Sequence, residues 1–267
     1  MSRPVLLGVP YDAGASGQRG AALAPPRIRQ ALHDPSSNTF TESVVDVAGP
    51  GILEDAGDMV LTGETMLEDV EREVARQLEQ ARIPIVLGGD HSISLPVVRA
   101  VHRVRPGFAL LHFDAHPDLY PEFQGNRFSH ACPFARIMEE ELTQNLVQLG
   151  IRTANAIQVE QARRFGVRTV VPDEWSRDWR YDGGLPVYIS IDIDVLDPAF
   201  APGVSHPEPG GVSTRHLLAT LQRITAPIVG VDIVEYNPLN DPAGLTAFVT
   251  AKILKEVVGI VLRNGSV

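Results

Sequence analysis

Residues 109–118 read A-L-L-H-F-D-A-H-P-D, and the interpretation of the whole chain starts from this stretch. Its first half is an apolar run typical of a buried strand, and Asp114, His116 and Asp118 follow directly. If the backbone stays extended, side chains two and four residues apart point to one face and can share a cation. A polar loop after a strand, capped by the histidine, explains the pattern equally well. Alone, the stretch leaves both alternatives open.

The composition is that of a soluble globular protein. The 267 residues include 33 Asp and Glu against 23 Lys and Arg, which gives a formal charge of -10. Without a basic stretch to follow a phosphate backbone, we expect no nucleic-acid partner, and the acidity suits a cationic substrate. No apolar run reaches the length of a membrane span or a signal peptide, so we expect no membrane partner. Because Cys132 is the sole cysteine, we expect a reducing compartment and a cytoplasmic protein.

Apolar runs alternate with amphipathic stretches, an order typical of a parallel sheet covered by helices. We predict strands at 5–9, 44–47, 83–87, 108–113, 146–149, 168–171, 185–191 and 228–233. We predict helices at 26–32, 64–81, 95–104, 134–142, 157–165, 214–224 and 247–262. A glycine-rich loop at 12–20 fits no phosphate-binding fingerprint and is interpreted as a flexible loop near a pocket mouth. The expected fold is α/β: a single domain, residues 1–267, with three α/β/α layers and a mainly parallel sheet.

Polar clusters fall where predicted strands end, which is the edge where open α/β sheets bind ligands. Two histidines and four carboxylates exceed the needs of one zinc site, and they offer no sulfur for a structural one. Mixed imidazole and carboxylate ligation suits Mn²⁺ or a related dication, and six ligands can serve two ions that share carboxylates. Four carboxylates, two dications and a bridging hydroxide would together carry a net charge of about -1, which favours a cationic substrate. The candidates are His91, Asp114, His116, Asp118, Asp192 and Asp194.

Three segments resemble the signatures of the ureohydrolase family, which includes arginases and agmatinases. They read G-G-D-H-S at 88–92, F-D-A-H-P-D at 113–118 and S-I-D-I-D-V-L-D-P-A-F-A-P-G at 190–203. Other segments resemble the plant arginase branch in particular: A-P-P-R-I-R at 24–29, G-N-R-F-S-H-A at 125–131, V-S-H-P-E-P-G-G at 204–211 and V-E-Y-N-P at 234–238. The resemblance covers almost the whole chain. It implies an arginase-like fold with a metal site at the C-terminal ends of the strands.

The resemblance also implies a binuclear centre with two Mn²⁺ per subunit and a bridging hydroxide. One ion would be held by His91, Asp114, Asp118 and Asp192, and the other by His116, Asp114, Asp192 and Asp194. His130 matches the family's proton-shuttling histidine. Glu235 matches the carboxylate that receives the guanidinium, which we expect in a bidentate pair. The hydroxide would attack the guanidinium carbon, and an amine would leave after protonation. A trimer or hexamer is the assembly that the resemblance suggests.

Several nearby residues are better explained without a ligand role. Asp90 and Asp197 lie inside the motifs and are interpreted as turn-forming or supporting groups. We expect His112 to be a buried, hydrogen-bonded histidine and Cys132 to be an inert small hydrophobe. His206 is harder to assign, because its loop follows the metal motif and can line the pocket.

The choice of substrate depends on the pocket rim. Tyr120 stands where animal-type arginases have an asparagine, and Asn155 stands where they have an aspartate that touches the α-amino group. A neutral amide there weakens the case for arginine. Asn126 and Arg127, however, could bind an α-carboxylate, which agmatine lacks. A solvated loop cation explains Arg127 equally well.

The leading hypothesis is a Mn²⁺-dependent hydrolase of linear amidines that converts L-arginine to L-ornithine and urea. Conversion of agmatine to putrescine is the closest alternative, followed by formimidoylglutamate or another guanidino acid. Histone-deacetylase-like amide hydrolysis shares the fold but uses one zinc. A non-catalytic metal-binding subunit is the hypothesis from a different class, and retention of all six ligands together with His130 and Glu235 argues against it.

Overall fold

The protein is described here by a computed structural model that covers residues 3–61 and 65–265. The strands are β1 (Arg3–Gly8), β2 (Glu54–Asp58), β3 (Arg82–Leu87), β4 (Ala109–Phe113), β5 (Asn145–Leu149), β6 (Arg168–Val170), β7 (Val187–Asp192) and β8 (Ile228–Val234). The helices are α1 (Ala24–Leu32), α2 (Met66–Glu79), α3 (Ser94–Val104), α4 (Pro133–Glu139), α5 (Ala156–Phe165), α6 (Thr214–Gln222) and α7 (Leu245–Asn264). The predicted start of the second helix, Glu64, lies outside the described residues.

These strands form one eight-stranded sheet in the order β2-β1-β3-β8-β7-β4-β5-β6, and the paired strands are parallel. Successive side chains of a strand point to opposite faces, so Leu110 packs into one apolar layer and Leu111 into the other. One layer contains the buried side chains of α1, α6 and α7. The other contains those of α2, α3 and α4. The predicted α/β fold class is confirmed.

The chain order places four strand ends side by side. The first three strands end with β3 near the centre of the sheet, and β4 then starts on the far side of a gap two strands wide. β8 and β7 fill the gap between them later in the sequence. Because all four strands are parallel, the loops that follow them meet at one edge of the sheet, at the point where the strand order reverses. This edge carries the predicted ligands.

The strand predicted at 44–47 is wrong. Val44 is 77% exposed with a φ of 65°, whereas Val47 is buried in the layer of α1 and α7. The second strand is instead β2, which reads E-D-A-G-D at the outer edge of the sheet and is mostly exposed. An edge strand needs no alternation of apolar residues when few of its side chains are buried, so the hydrophobic pattern predicted the second strand at the wrong position.

Backbone geometry after β4 also differs from expectation. The strand ends at Phe113, and the chain then turns, so residues 114–118 are not extended. Asp118 has a φ of 50°, a left-handed conformation that costs a non-glycine residue about 1–3 kcal/mol. The ligand side chains therefore converge through a turn and not through strand alternation. No helix in the described ranges is long and apolar enough to cross a bilayer.

Candidate metal centre

Nδ1 of His91 faces three carboxylate oxygens. It lies 3.2 Å from Oδ2 of Asp114, 3.2 Å from Oδ2 of Asp118 and 3.3 Å from Oδ2 of Asp192. None of these contacts has hydrogen-bond geometry, so Nδ1 is a buried polar atom without a hydrogen-bond partner in the part of the chain that the structure describes. These four residues are the set predicted for the first metal ion.

The other nitrogen of His91 determines the role of Nδ1. Nε2 lies 2.9 Å from Oγ of Ser190, and this hydroxyl donates to Oδ1 of Asp232 at 2.6 Å. Tyr188 donates to the second oxygen of Asp232. Because the single hydroxyl proton of Ser190 goes to Asp232, Nε2–H of His91 must donate to Ser190. Nδ1 is therefore the nitrogen that can carry either a lone pair for a metal ion or a second proton.

Electrostatics require a positive charge at this point. Burial alone lowers the pKa of His91, but Asp114, Asp118 and Asp192 raise it well above its usual value. Burial, and then the charges of Asp194 and Asp114, raise the pKa of Asp192 well above its usual range. Such a set of buried carboxylates is self-repelling, and a divalent cation is the usual source of compensation. The donor set thus fits a metal ion.

A second group of donors lies beside the first. Nδ1 of His116 is 2.9 Å from Oδ2 of Asp194 and 3.4 Å from Oδ1 of Asp114. The two oxygens of Asp114 therefore face different histidines. Asp192 contacts His91 through Oδ2, while its Oδ1 accepts the backbone N–H of Asp194 at 2.8 Å.

His112 orients Asp114 from behind. Gln148 donates from Nε2 to Nδ1 of His112 at 2.9 Å, so the proton of the neutral ring is on Nε2, which donates to Oδ2 of Asp114 at 2.7 Å. The ring stacks on Phe134 with 3.7 Å between centroids. Burial alone raises the pKa of Asp114, yet the contacts with His112 and the other two histidines hold it well below its usual range. His112 is thus the buried, hydrogen-bonded histidine that we expected.

Glu235 and His130 form a hydrogen-bonded pair next to these donors. Oε1 of Glu235 accepts the backbone N–H of His91 at 2.8 Å and Nδ1–H of His130 at 2.8 Å. Burial alone lowers the pKa of His130, but the charge and hydrogen bond of Glu235 raise it to about 9. His130 acts on Glu235 in the opposite direction and lowers its pKa against burial. Glu235 has a φ of 65°, a strained conformation of the kind that clusters at functional sites.

The glycine-rich loop at 12–20 covers His130. Nε2 of His130 accepts the backbone N–H of Ser16 at 3.2 Å and lies 2.8 Å from the Oγ of Ser16, and the backbone N–H of His130 donates to the carbonyl of Gly14. Oδ2 of Asp12 accepts the N–H groups of Gly20 and Ala22, which closes the loop. The loop is therefore part of the site. Sequence reasoning did not single out Ser16, although its place after β1 was a usable signal.

One cavity of about 270 Å³ opens onto these groups. Four of the six predicted ligands line it together with His130, Glu235 and His206, and its other lining residues are neutral. Burial, followed by the charge of His130, lowers the pKa of His206. The lining residues are Ser16, His116, Asp118, Tyr120, Phe123, His130, Ala131, Thr153, Ala154, Asn155, Gln158, Asp192, Asp194, His206 and Glu235.

The predicted substrate clamp is not part of this lining. Arg127 donates to Oε2 of Glu139 at 3.0 Å, and Oδ1 of Asn126 accepts the backbone N–H of Phe128 at 2.9 Å. Asn155 does line the cavity, but its Oδ1 caps α5 and its Nδ2 donates to the hydroxyl of Tyr120 at 2.7 Å. The binding roles of these three residues stay predictions, and the contacts of Asn126 and Arg127 offer them no support.

The contacts of Asp197, Asp90 and Cys132 indicate structural roles for these three residues. Asp197 accepts the backbone N–H groups of Ala199 and Gly210, as a turn-forming residue does. Asp90 caps the short 3₁₀ turn that begins at His91. Cys132 is buried, and burial raises the pKa of its thiol to about 12, so it is held as an unreactive neutral group.

Comparison with known proteins decides the family. The model of the arginase family matches residues 2–259. This chain belongs to the arginase family. Arginase 1 from Arabidopsis thaliana, a mitochondrial protein by name, is 44% identical over 94% of this chain and 79% of its own length. The agmatinase of Halalkalibacterium halodurans is 32% identical over 96% of this chain and 91% of its own. The predicted family is confirmed, as is the class of hydrolase.

The arginase fold is equally clear in three dimensions. The structure of an arginase from Medicago truncatula superposes with a TM-score of 0.92 and 42% sequence identity, over 97% of this chain and 87% of that one. The arginase family is metal-dependent, and the His and Asp groups described above fit a metal site.

The expectation of a cytoplasmic protein is wrong. Three plant arginases that resemble this chain, two from Arabidopsis thaliana and one from Medicago truncatula, carry mitochondrial or chloroplastic names. A low cysteine count indicates a reducing compartment but does not say which one. Composition therefore gave no basis for choosing the cytoplasm over an organelle.

Proposed function

We propose that this arginase-family protein hydrolyses L-arginine to L-ornithine and urea at a binuclear metal centre. The observation that carries the proposal is the convergence of Nδ1 of His91 on three carboxylates, of which Asp118 and Asp192 line the cavity together with Glu235. The plant relatives named arginase support the substrate. The one eight-stranded sheet supports a single domain spanning residues 1–267.

The proposed cofactor is a pair of Mn²⁺ ions per subunit. Nitrogen and oxygen donors without sulfur suit this ion. His91, Asp114, Asp118 and Asp192 would hold one ion, and His116, Asp114, Asp192 and Asp194 the other. Asp114 supports this division best, since its Oδ2 faces the proposed ligand His91 and its Oδ1 faces the proposed ligand His116. When bound, the metal pair would acidify a water molecule and so supply a nucleophile near neutral pH.

Glu235 receives the guanidinium group of the substrate. Its Oε1 already accepts two hydrogen bonds, whereas Oε2 accepts none in the described ranges. In place of the expected bidentate pair, we therefore propose that Oε2 makes the main contact with the guanidinium. Because the pKa of Glu235 is lowered, the carboxylate is ionised at neutral pH and attracts the cation.

His130 supplies the proton for the leaving amine. With a pKa of about 9, its ring is protonated at neutral pH, and Nδ1–H stays on Glu235. Nε2 faces Ser16: the hydroxyl can accept from the protonated ring, and the backbone N–H donates to the neutral one at 3.2 Å. Proton transfer from Nε2 therefore leaves both nitrogens hydrogen-bonded, which keeps the ring in place through the cycle.

Agmatine is the second candidate substrate, because no Lys or Arg among the described residues lines the cavity to pair an α-carboxylate. Agmatine offers the same guanidinium and lacks this carboxylate. Formimidoylglutamate is less suited to the site, because its two carboxylates would approach an acidic cavity. A trimer or hexamer stays our expectation for the assembly.

Urea release from arginine, agmatine, guanidinobutyrate and formimidoylglutamate, measured with added Mn²⁺ and with metal counting, tests the proposal. We expect arginine to give the highest kcat/KM. Agmatine above arginine would move the assignment to the alternative. A protein that binds two Mn²⁺ and releases no urea from any of the four would instead be a non-catalytic subunit.

A further inference from the structure

His206 occupies a position that the proposed mechanism does not use. Its ring lies 5.1 Å from that of His130 and 6.4 Å from that of His116, between the proton donor and a proposed metal ligand. His130, His206 and Glu235 each offer a ligand-type atom, and these atoms lie within 4.8 Å of one another. His206 thus faces the space where a guanidinium bound by Glu235 must sit.

Both nitrogens of His206 are available. Across residues 3–61 and 65–265, neither has a hydrogen-bond partner. Three other histidines of the site have hydrogen bonds: His91 with Ser190, His112 with Asp114 and Gln148, and His130 with Glu235 and Ser16. An unpaired imidazole in a half-buried wall is a ready acceptor for an N–H group of a ligand.

The loop that carries His206 is held on both sides. Before it, the hydroxyl of Ser205 donates to the carbonyl of Gln18 at 3.0 Å and accepts from Nδ2 of Asn237 at 2.9 Å. After it, the guanidinium of Arg152 donates to the carbonyl of Glu208 at 2.6 Å. A side chain at Gly17 would put a Cβ 3.0 Å from Nε2 of His206, so the glycine leaves room for the ring. The imidazole is positioned before any ligand arrives.

A guanidinium needs more acceptors than Glu235 offers. The cation presents several N–H groups in one plane, and each must be paired when it leaves water. Oε1 of Glu235 is already taken by His91 and His130, which leaves Oε2. A second acceptor is required from another element, and the loop with His206 presents one to the same space.

We propose that His206 accepts a hydrogen bond from the guanidinium of the substrate and is a determinant of guanidinium affinity. The proposal rests on the function proposed above, because it takes the substrate class from it. The lowered pKa of His206 is consistent with this role, since a neutral ring keeps a lone pair to accept with. The contact is to the guanidinium group that arginine and agmatine share, so it contributes to the binding of both substrates.

Competitive inhibition by the guanidinium ion tests the contact directly. In His206→Ala, we expect the inhibition constant of guanidinium and the KM values of arginine and agmatine to rise together by about tenfold, as for one hydrogen bond to a charged group. Bound Mn²⁺ per chain should stay at the wild-type value. His206→Asn retains an acceptor and should recover most of the affinity. His33→Ala, at an exposed histidine after α1, is the matched control and should change nothing.

Three results would overturn the proposal. A guanidinium inhibition constant within twofold of wild type in both His206 variants would show that His206 makes no such contact. A loss of bound Mn²⁺ would show a role at the metal ions, and an effect on arginine alone would place His206 at the other end of the substrate. Failure of the wild type to release urea would instead refute the proposed function.

Discussion

Asp114 faces two histidines at once, with Oδ2 3.2 Å from Nδ1 of His91 and Oδ1 3.4 Å from Nδ1 of His116. One carboxylate thus links two groups of donors that come from different strand ends. His112 holds its orientation through a third contact at 2.7 Å. This relationship is the structural basis for a centre that holds two cations.

Ser190 should control metal affinity through His91. In Ser190→Ala, Nε2–H of His91 loses its acceptor, so the ring is free to rotate and Nδ1 is no longer fixed on the carboxylates. We expect metal affinity to fall by about 10–100-fold, measured by competition with a chelator. Thr250→Val removes a buried hydroxyl that donates within α7 and does not line the cavity, and it should leave affinity unchanged. Equal affinities in the two variants would refute the role of Ser190.

Ser16 should shift the pH dependence of turnover. Its hydroxyl can accept from Nε2–H of protonated His130, and the folded pKa of that ring is raised to about 9. Loss of the hydroxyl in Ser16→Ala destabilises the protonated form, so the decline of kcat at high pH should move lower by about one pH unit. Ser16→Thr keeps the hydroxyl and should retain the wild-type profile. An unshifted alkaline limb in Ser16→Ala would contradict this account.

Arg152 should stabilise the loops around the site. Its guanidinium donates to the carbonyl oxygens of Gly150, Asp194, Val195, Leu196 and Glu208. Arg152→Met leaves these carbonyls without donors, and we expect the free energy of unfolding to fall by about 2–4 kcal/mol. Arg163→Met breaks an exposed pair with Glu160 and should leave the free energy of unfolding almost unchanged. Chemical denaturation compares the two variants, and similar losses of unfolding free energy would show that Arg152 does not stabilise these loops.

Arg127 should have little effect on arginine binding. Its guanidinium pairs with Glu139 and does not line the cavity. In Arg127→Ala, we expect the KM for arginine to stay within about twofold of wild type, because the lost side chain does not line the cavity and its surface ion pair contributes little to stability. Steady-state kinetics with arginine and agmatine decide the question. A large rise in KM for arginine alone would restore the carboxylate clamp predicted from the sequence.

The sequence predicted those parts of the fold that are buried on both faces. β3, β4, β7 and β8 lie at the centre of the sheet and are mainly apolar because both of their faces are buried, so their runs are visible in the sequence. The edge strand β2 has little to bury and carries no such signal. The turn at Asp118 was also missed, because its left-handed backbone is imposed by surrounding structure and not by residue type.

The site was predictable where motifs carry ionisable groups. His91 and the two aspartate motifs stood out because charged residues are costly at buried strand ends. Ser190 and Gln148 did not, because neutral polar residues occur in many strands. Asp232 offered a missed signal, since it is a carboxylate inside the buried strand β8. The pairing of Arg127 with Glu139 depends on the path of the intervening loop and cannot be read from spacing.

Counting bound Mn²⁺ in three proteins tests the central claim most directly. The account predicts two ions per chain in the wild type, about one in His116→Ala and almost none in Asp114→Asn, because Asp114 contacts both groups of donors whereas His116 belongs to one. Equal losses from the two variants, or a single ion in the wild type, would contradict it.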